Sequence, residues 1–160
     1  MILSLTVILV IVGIVVAFQE RGGQRVRVID PSAAYAGARN TAAYPVRVPR
    51  TPSGWRPTSA RNERSESGRL TLRVGFLTAK DQYAELVESD VPRNTLLGHE
   101  LSPGARPAGS LSIDGVLWQW LPARKRGDRA IARTAAGVTY LIFGSAGPEE
   151  LRVLAASLRP

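Results

Sequence analysis

The first 18 residues, Met1 to Phe18, form an apolar run without a charged residue, interrupted only by Ser4, Thr6 and Gly13. An α-helix of this length would be about 27 Å long, close to the roughly 30 Å hydrocarbon core of a bilayer. Many of its residues are β-branched, but in lipid the backbone must satisfy its own hydrogen bonds, which favours helix. The run therefore predicts a transmembrane anchor over residues 1–18.

Two other interpretations of this run stay open. A signal peptide cleaved after Ala17 fits the small side chains at its end, although no basic residue precedes the run. A buried core helix would normally carry a polar stripe, and this run has none. The transmembrane anchor agrees best with the continuous apolar character.

The charges around the run bear on its orientation. Arg21, Arg25 and Arg27 follow it and no Lys or Arg precedes it, so the positive-inside rule taken literally places the following domain in the cytosol. An apolar run that starts at the initiator Met indicates instead a start further upstream with a basic leader, which would reverse this balance. We expect the second arrangement, a single-pass cell-membrane protein with its domain outside the cytoplasm.

The formal net charge of +8 resembles that of proteins that bind nucleic acid or anionic surfaces. Only Lys80 and Lys125 are lysines, however, and the abundance of Arg, Ala, Gly and Val is typical of a high-GC genome. We therefore expect a scattered basic surface and no nucleic-acid partner. Cysteine is absent, which excludes a disulfide framework, a thiolate metal site and a cysteine nucleophile.

The residues after the anchor divide into a linker and one domain. Residues 19–42 are predicted to be a juxtamembrane linker containing a short helix, because Asp30 is a good N-cap and Pro31 suits the first helical position. This helix is expected to space the domain from the bilayer. Residues 43–160 are predicted to form a single globular domain of ordinary size.

Period-two alternation dominates this domain. It predicts strands over residues 46–48, 55–61, 70–76, 83–89, 111–113, 116–121, 129–134 and 138–143. The segment 91–108 is the least regular, with a helical turn expected at 93–97, and Asp114 with Gly115 is a hairpin signal. A final helix begins near Pro148 and presents Leu151, Leu154 and Leu158 on one face. We predict an α+β fold, a mostly antiparallel sheet of about six strands with helices on one face, including the C-terminal helix.

The order of these features resembles an uncharacterised domain-of-unknown-function family, DUF4245, of single-pass membrane proteins in high-GC Gram-positive bacteria. The matching features are packing motifs: the Asp30-Pro31 helix, Tyr44-Pro45-Val46, Gly54 to Arg61, Leu72 to Phe76, a Trp-bearing strand and the helix Glu150 to Leu158. The resemblance implies a membrane-attached domain outside the cytoplasm, and it implies no reaction, cofactor or site residue. Family members usually have a basic stretch before the span, and this sequence departs there.

Two groups of residues are candidates for binding. Trp118 and Trp120 are two apart on a strand and share a face, so with Trp55 they offer an aromatic surface for an apolar ligand. Core packing is the competing interpretation and the one we favour, because Leu117 and Leu121 on the opposite face indicate a strand buried on both sides. A basic cluster, Arg124, Lys125, Arg126 and Arg129, lies around a predicted turn and could meet an anionic lipid or wall polymer, although a solvated turn explains it more simply.

Catalytic patterns are not found. Glu85 and Glu88 have opposite strand parity without a partner that fixes their geometry, and His99 is the single histidine, which excludes a multi-histidine metal site. No phosphate loop, dinucleotide motif, nucleophile elbow or zinc-protease motif occurs. We therefore predict a non-catalytic, membrane-anchored envelope protein without a cofactor that binds a protein or an anionic envelope component. The alternative is a carrier or sensor of lipids or small apolar ligands.

Overall fold

The computed structural model describes residues 27–158, so the predicted anchor at 1–18 lies outside the described residues. Within 27–158, every helix is too short or too polar to cross a bilayer.

The described chain contains seven strands and three helices. In chain order they are α1 (Ser32–Thr41), β1 (Arg56–Arg64), β2 (Leu70–Leu77), β3 (Tyr83–Ser89), α2 (Arg93–Glu100), β4 (Gly109–Ile113), β5 (Val116–Pro122), β6 (Arg129–Ala135), β7 (Val138–Gly144) and α3 (Pro148–Ser157). The strands form one sheet in the order β1-β2-β3-β7-β6-β5-β4. Each neighbouring pair is antiparallel, which confirms the predicted α+β class and antiparallel sheet.

Two meanders build this sheet. Strands β1 to β3 follow one another, α2 carries the chain across to the far edge, and β4 to β7 return until β7 pairs with β3 at the centre. The hairpin predicted at Asp114 and Gly115 joins β4 to β5, and both residues have positive φ angles of 49° and 78°. Positive φ at both central positions is what a tight two-residue hairpin requires.

Helices α1 and α3 cover one face of the sheet. The predicted C-terminal helix is confirmed, and Leu151, Leu154 and Leu158 are buried against the sheet. The Glu150 carboxylate accepts the Gly147 N–H at 3.0 Å and so caps the start of α3. Helix α1, expected within the linker 19–42, places Tyr35 and the 0% exposed Ala38 in the same core, so the packed unit includes this helix.

The other face is covered by α2, where a single helical turn was predicted in an irregular segment. The helix extends to Glu100, and Leu96 and Leu97 pack with Val87 and Leu141 in a second core. The expectation of helices on one face alone is therefore wrong. The central strands are apolar on both faces, and a single helical layer would leave the second apolar face exposed to water.

Two local predictions also differ from the structure. Residues 46–48 are not a strand, because the Arg47 N–H donates to both carboxylate oxygens of Glu88, at 3.2 Å each, in place of a neighbouring strand. Strand β5 is not buried on both faces along its whole length. Leu121 lies in the second core, but Leu117 is 65% exposed because β5 extends past the end of the layer that α2 provides.

Candidate functional site: a cleft with two arginines

A row of large side chains crosses the α1/α3 face of the sheet. The strand register pairs Arg133 on β6 with Tyr140 on β7, and Tyr140 with Glu88 on β3. Trp118 on β5 lies on the other side of Arg133. Because side chains at paired positions point to the same face, these four residues form a continuous row in the order Trp118, Arg133, Tyr140, Glu88.

Arg133 is held between two aromatic rings. Its guanidinium carbon lies 5.4 Å from the Trp118 ring centroid and 4.9 Å from that of Tyr140. Its Nε is buried without a hydrogen-bond partner among the described residues. Burial lowers the pKa of Arg133, and the nearby charge of Arg47 lowers it further. Stacking positions this cation, but it does not supply the acceptors that a guanidinium normally binds.

Arg47 brings a second cation to the same place from the segment between α1 and β1. Its guanidinium carbon lies 5.5 Å from the centroid of the Tyr140 ring, and its Nη1 donates to the Leu158 carbonyl at 3.1 Å. The Glu88 carboxylate, on the sheet, fixes the backbone of Arg47 by accepting its N–H. Two guanidinium groups therefore share one tyrosine ring.

Glu88 is the carboxylate beneath this arrangement, and it is 0% exposed. Burial raises its pKa to about 7, and the hydrogen bond and charge of Arg47 offset only part of that effect. Tyr44 donates its hydroxyl to the Glu88 carbonyl at 3.2 Å, and burial together with the Glu88 charge raises the pKa of Tyr35 and of Tyr44. Glu88 thus sits in a buried pocket of tyrosines, which disfavours its ionised form.

This raised pKa predicts a pH-dependent stability. The folded-state pKa of Glu88, about 7, lies above the ordinary value of 4.5, so the native state binds an extra proton between pH 4.5 and about 7. The stabilisation that comes from protonated Glu88 is therefore fully present below pH 4.5 and is lost as the pH rises to about 7. Glu88→Gln keeps the shape without the charge, and we expect its stability relative to wild type to increase by about 3 kcal/mol between pH 4.5 and pH 8.

Urea unfolding of both proteins across this pH range measures the difference. Glu66→Gln, which alters an exposed carboxylate in the β1–β2 turn, is the matched control and should show no such trend. A Glu88→Gln difference that stays constant with pH would contradict the burial argument.

Arg47 and Arg133 line a cleft of about 490 Å³ between the sheet and the end of α3. Its apolar wall includes Trp118 and Val116, and its full lining is Arg47, Ile113, Asp114, Val116, Trp118, Arg133, Ala155, Ala156 and Leu158. Asp114 on the rim is itself engaged in an interaction. The cleft, called the arginine cleft below, thus combines two cations with a hydrophobic wall. These groups suit an anionic head attached to an apolar body.

The structure separates the three tryptophans proposed as one aromatic surface. Trp118 is 1% exposed and lines the arginine cleft, and Trp120 is half-buried beside the same core. Trp55 packs on Phe76 of β2, with ring centroids 6.2 Å apart. Strand β2 is four places from β5 in the sheet, about 19 Å at the usual strand spacing. The three rings therefore do not form a common site.

The predicted basic cluster lies at the β5–β6 turn, and Arg124, Lys125, Arg126 and Arg129 are all exposed. Arg124 is already engaged, because its guanidinium donates to the His99 carbonyl at 2.7 Å and to the Leu101 carbonyl at 3.0 Å, at the end of α2. Such an arginine stabilises the C-terminal carbonyls of a helix. The contact of the cluster with an anionic partner stays a prediction.

Sequence reasoning missed the residues that build the arginine cleft, although a signal was present. Glu88 shares strand parity with Ala84 and Leu86, and Arg133 shares it with Ile131, so each is a charged residue at an inward-facing apolar position. Glu85 and Glu88 do lie on opposite faces as predicted, but the structure gives each of them fixed partners. Arg47 carried no comparable signal, because it lies outside the strands.

The amino-acid sequence matches one known protein family. The sequence model described as "Protein of unknown function (DUF4245)" matches residues 1–158, nearly the whole chain. The chain belongs to the DUF4245 family. No curated protein and no solved structure matches this DUF4245 member. Its described residues contain no group of three or more His, Asp or Glu side chains placed to hold a metal ion.

Proposed function

We propose that this protein is a non-catalytic binding domain of the cell envelope, tethered to the membrane by residues 1–18 and facing outward. Its arginine cleft binds an anionic group carried by an envelope lipid, a polymer or a partner protein. One observation carries the proposal: Arg133 is stacked between two rings, with a buried Nε that has no acceptor among the described residues. A phosphate or carboxylate would supply that acceptor.

The electrostatics of the cleft support an anion. Arg47 lowers the pKa of Arg133, although less than burial does, so the two cations beside the Tyr140 ring repel each other. An anion bound between them would replace repulsion by two attractive contacts. Guanidinium groups also match the planar, paired oxygens of carboxylate and phosphate. The cleft supplies charge and position, which are the requirements of binding.

The hydrophobic wall supports the second candidate function, a carrier or sensor of lipids. Trp118, Val116 and Leu158 give the cleft an apolar side that could accept the acyl chain of a ligand. The two candidates differ in what the cleft requires of its ligand. An anion binder needs the negative head, whereas an apolar carrier is indifferent to it.

Arg133→Met tests the proposal, because methionine keeps much of the apolar volume and removes the charge. We expect the full-length protein in phosphatidylcholine nanodiscs to bind inorganic phosphate and soluble dihexanoyl phosphatidylglycerol. Arg133→Met should weaken binding of both by about ten- to hundredfold, the effect of losing a hydrogen bond to a charged group. Tryptophan fluorescence reports binding, since Trp118 lies against Arg133.

Arg106→Met is the matched control, because Arg106 is an exposed arginine in the loop between α2 and β4, lies outside the basic cluster and does not line the cleft. Unchanged affinity in Arg133→Met would contradict the anion site. Equal binding of dihexanoyl phosphatidylcholine would favour the apolar carrier instead. Protease access to a tag after Pro160, in intact and in lysed cells, tests the proposed location separately.

A further inference from the structure

A second cavity, of about 400 Å³, lies on the α2 side of the sheet, away from the arginine cleft. Glu85 of β3 and Arg73 of β2 lie at its floor, Phe143 of β7 forms one wall, and Lys125 from the β5–β6 turn stands at its rim. We call it the Glu85 cavity. The proposed function makes no use of it.

The Glu85 carboxylate is a positioned hydrogen-bond acceptor, and only one of its two oxygens is used. The residue is 7% exposed, and its Oε2 accepts the Tyr83 hydroxyl at 2.9 Å. Its Oε1 is buried and has no hydrogen-bond partner in the described part of the chain. The nearest cationic atoms, Arg61 Nη2 and Arg73 Nη1, are each 3.7 Å from Oε1, which balances charge but exceeds hydrogen-bond distance.

The neighbouring groups hold Glu85 in place. Arg73 is fixed by Glu100 and Glu63, so it cannot move closer to Glu85 without losing those bonds. Gly75 leaves room for the Tyr83 hydroxyl, because a Cβ at position 75 would lie only 2.6 Å from the hydroxyl oxygen. The unused acceptor is therefore positioned in advance, as ligand-binding groups usually are.

The charges around the Glu85 cavity indicate the class of ligand. Its lining contains four Arg and Lys side chains and four Asp and Glu side chains, so the cavity has no net preference for either sign. It offers acceptors at Glu85 and Asp128 and donors at Arg61 and Lys125. A hydroxyl group both donates and accepts, so a neutral ligand rich in hydroxyls satisfies both kinds of group. The half-buried Phe143 adds an apolar wall for the C–H face of a sugar ring.

We propose that the Glu85 cavity is a second binding site, for a neutral polyhydroxylated ligand such as a saccharide unit, with Glu85 Oε1 accepting a ligand hydroxyl. This site is independent of the arginine cleft in position and in ligand charge. The two lie on opposite faces of the sheet, so each can be changed without altering the other.

The test uses the full-length protein in phosphatidylcholine nanodiscs with trehalose, N-acetylglucosamine and methyl α-mannoside as probes. We expect at least one of them to bind with a Kd tighter than about 10 mM, measured by saturation-transfer NMR and calorimetry. Glu85→Gln should weaken that binding at least about tenfold, because a charged acceptor is stronger than a neutral one. Lys125→Met at the exposed rim provides a second variant that does not disturb the buried ion pairs.

Glu66→Gln, in the exposed β1–β2 turn, should leave saccharide affinity unchanged, and so should Arg133→Met in the arginine cleft. The latter control separates this proposal from the proposed function, because either site can then fail alone. Absence of binding by all three probes at about 10 mM would overturn the proposal. Binding that survives both Glu85→Gln and Lys125→Met would overturn it as well.

Discussion

Replacing Arg73 by methionine is expected to lower the free energy of unfolding by about 3–5 kcal/mol. The Arg73 guanidinium is almost fully buried and bonds the Glu100 carboxylate at both of its terminal nitrogens, one contact being 2.6 Å. Its Nε donates to Glu63 at 3.0 Å. The variant would leave the Glu100 carboxylate, with a side chain 7% exposed, without its main cationic partner. Equilibrium urea unfolding at neutral pH measures the loss.

The pKa of Glu100 is consistent with this expectation. Burial alone would raise it, but the hydrogen bonds and charge of Arg73, together with those of His99, hold the pKa of Glu100 below its usual value. The bond to Glu100 likewise raises the pKa of Arg73. Each group therefore stabilises the ionised form of the other.

Arg61→Met is the matched control for this measurement. Arg61 also pairs with Glu63, at 2.8 Å, but its side chain is 52% exposed, so removal should cost less than about 1 kcal/mol. A loss in Arg73→Met no larger than in Arg61→Met would show that the buried network contributes little. Restoring neutrality with Arg73→Met and Glu100→Gln together should recover part of the stability.

Gly144→Ala is expected to lower the free energy of unfolding by about 3–5 kcal/mol, from backbone strain and overpacking together. Gly144 ends β7 with a φ of +147°, which side chains rarely adopt. A Cβ at this position would lie 2.2 Å from the Tyr83 carbonyl oxygen and 3.2 Å from the Ala84 Cα. The same carbonyl accepts the Ala146 N–H at 2.9 Å, so the clash reaches the connection into α3. Thermal unfolding is the measurement.

Gly137→Ala separates the clash from the effect of backbone conformation. Gly137 lies in the β6–β7 turn with a φ of +79°, and no atom lies within 4 Å of the position a Cβ would take. This control should cost only about 1–2 kcal/mol, the penalty for a left-handed conformation. Equal losses at both glycines would mean that β3 moves aside without cost.

Much of the fold could be predicted because local patterns encode it. The alternation of apolar residues at Leu70, Leu72, Val74 and Phe76 corresponds to β2, and all four are buried. Asp114 and Gly115 marked a turn that has the required positive φ angles. The stripe at Leu151, Leu154 and Leu158 faces the core as predicted. In each case, residues close in sequence determine the structure.

The candidate sites could be predicted from the sequence to a much smaller extent than the fold. Sequence parity placed Glu85 and Glu88 on opposite faces, but it could not show that Arg47 would contact Glu88 or that Arg73 would contact Glu100. These contacts join residues 41 and 27 positions apart. The distance between Trp55 and Trp118 likewise depends on sheet order, whereas the favoured interpretation of Trp118 as a core residue needed only its strand pattern.

By itself, the sequence determined the membership of the DUF4245 family, the α+β class, the positions of most strands and the final helix. Hydrophobic periodicity and turn residues act over a few positions, so they can be read along the chain. Only the tertiary structure decided that helices cover both faces, that Arg133 stacks between Trp118 and Tyr140, and that Glu85 keeps an unused oxygen. Those features depend on which distant strands pair and in which register, and a one-residue change of register would turn every such side chain to the other face.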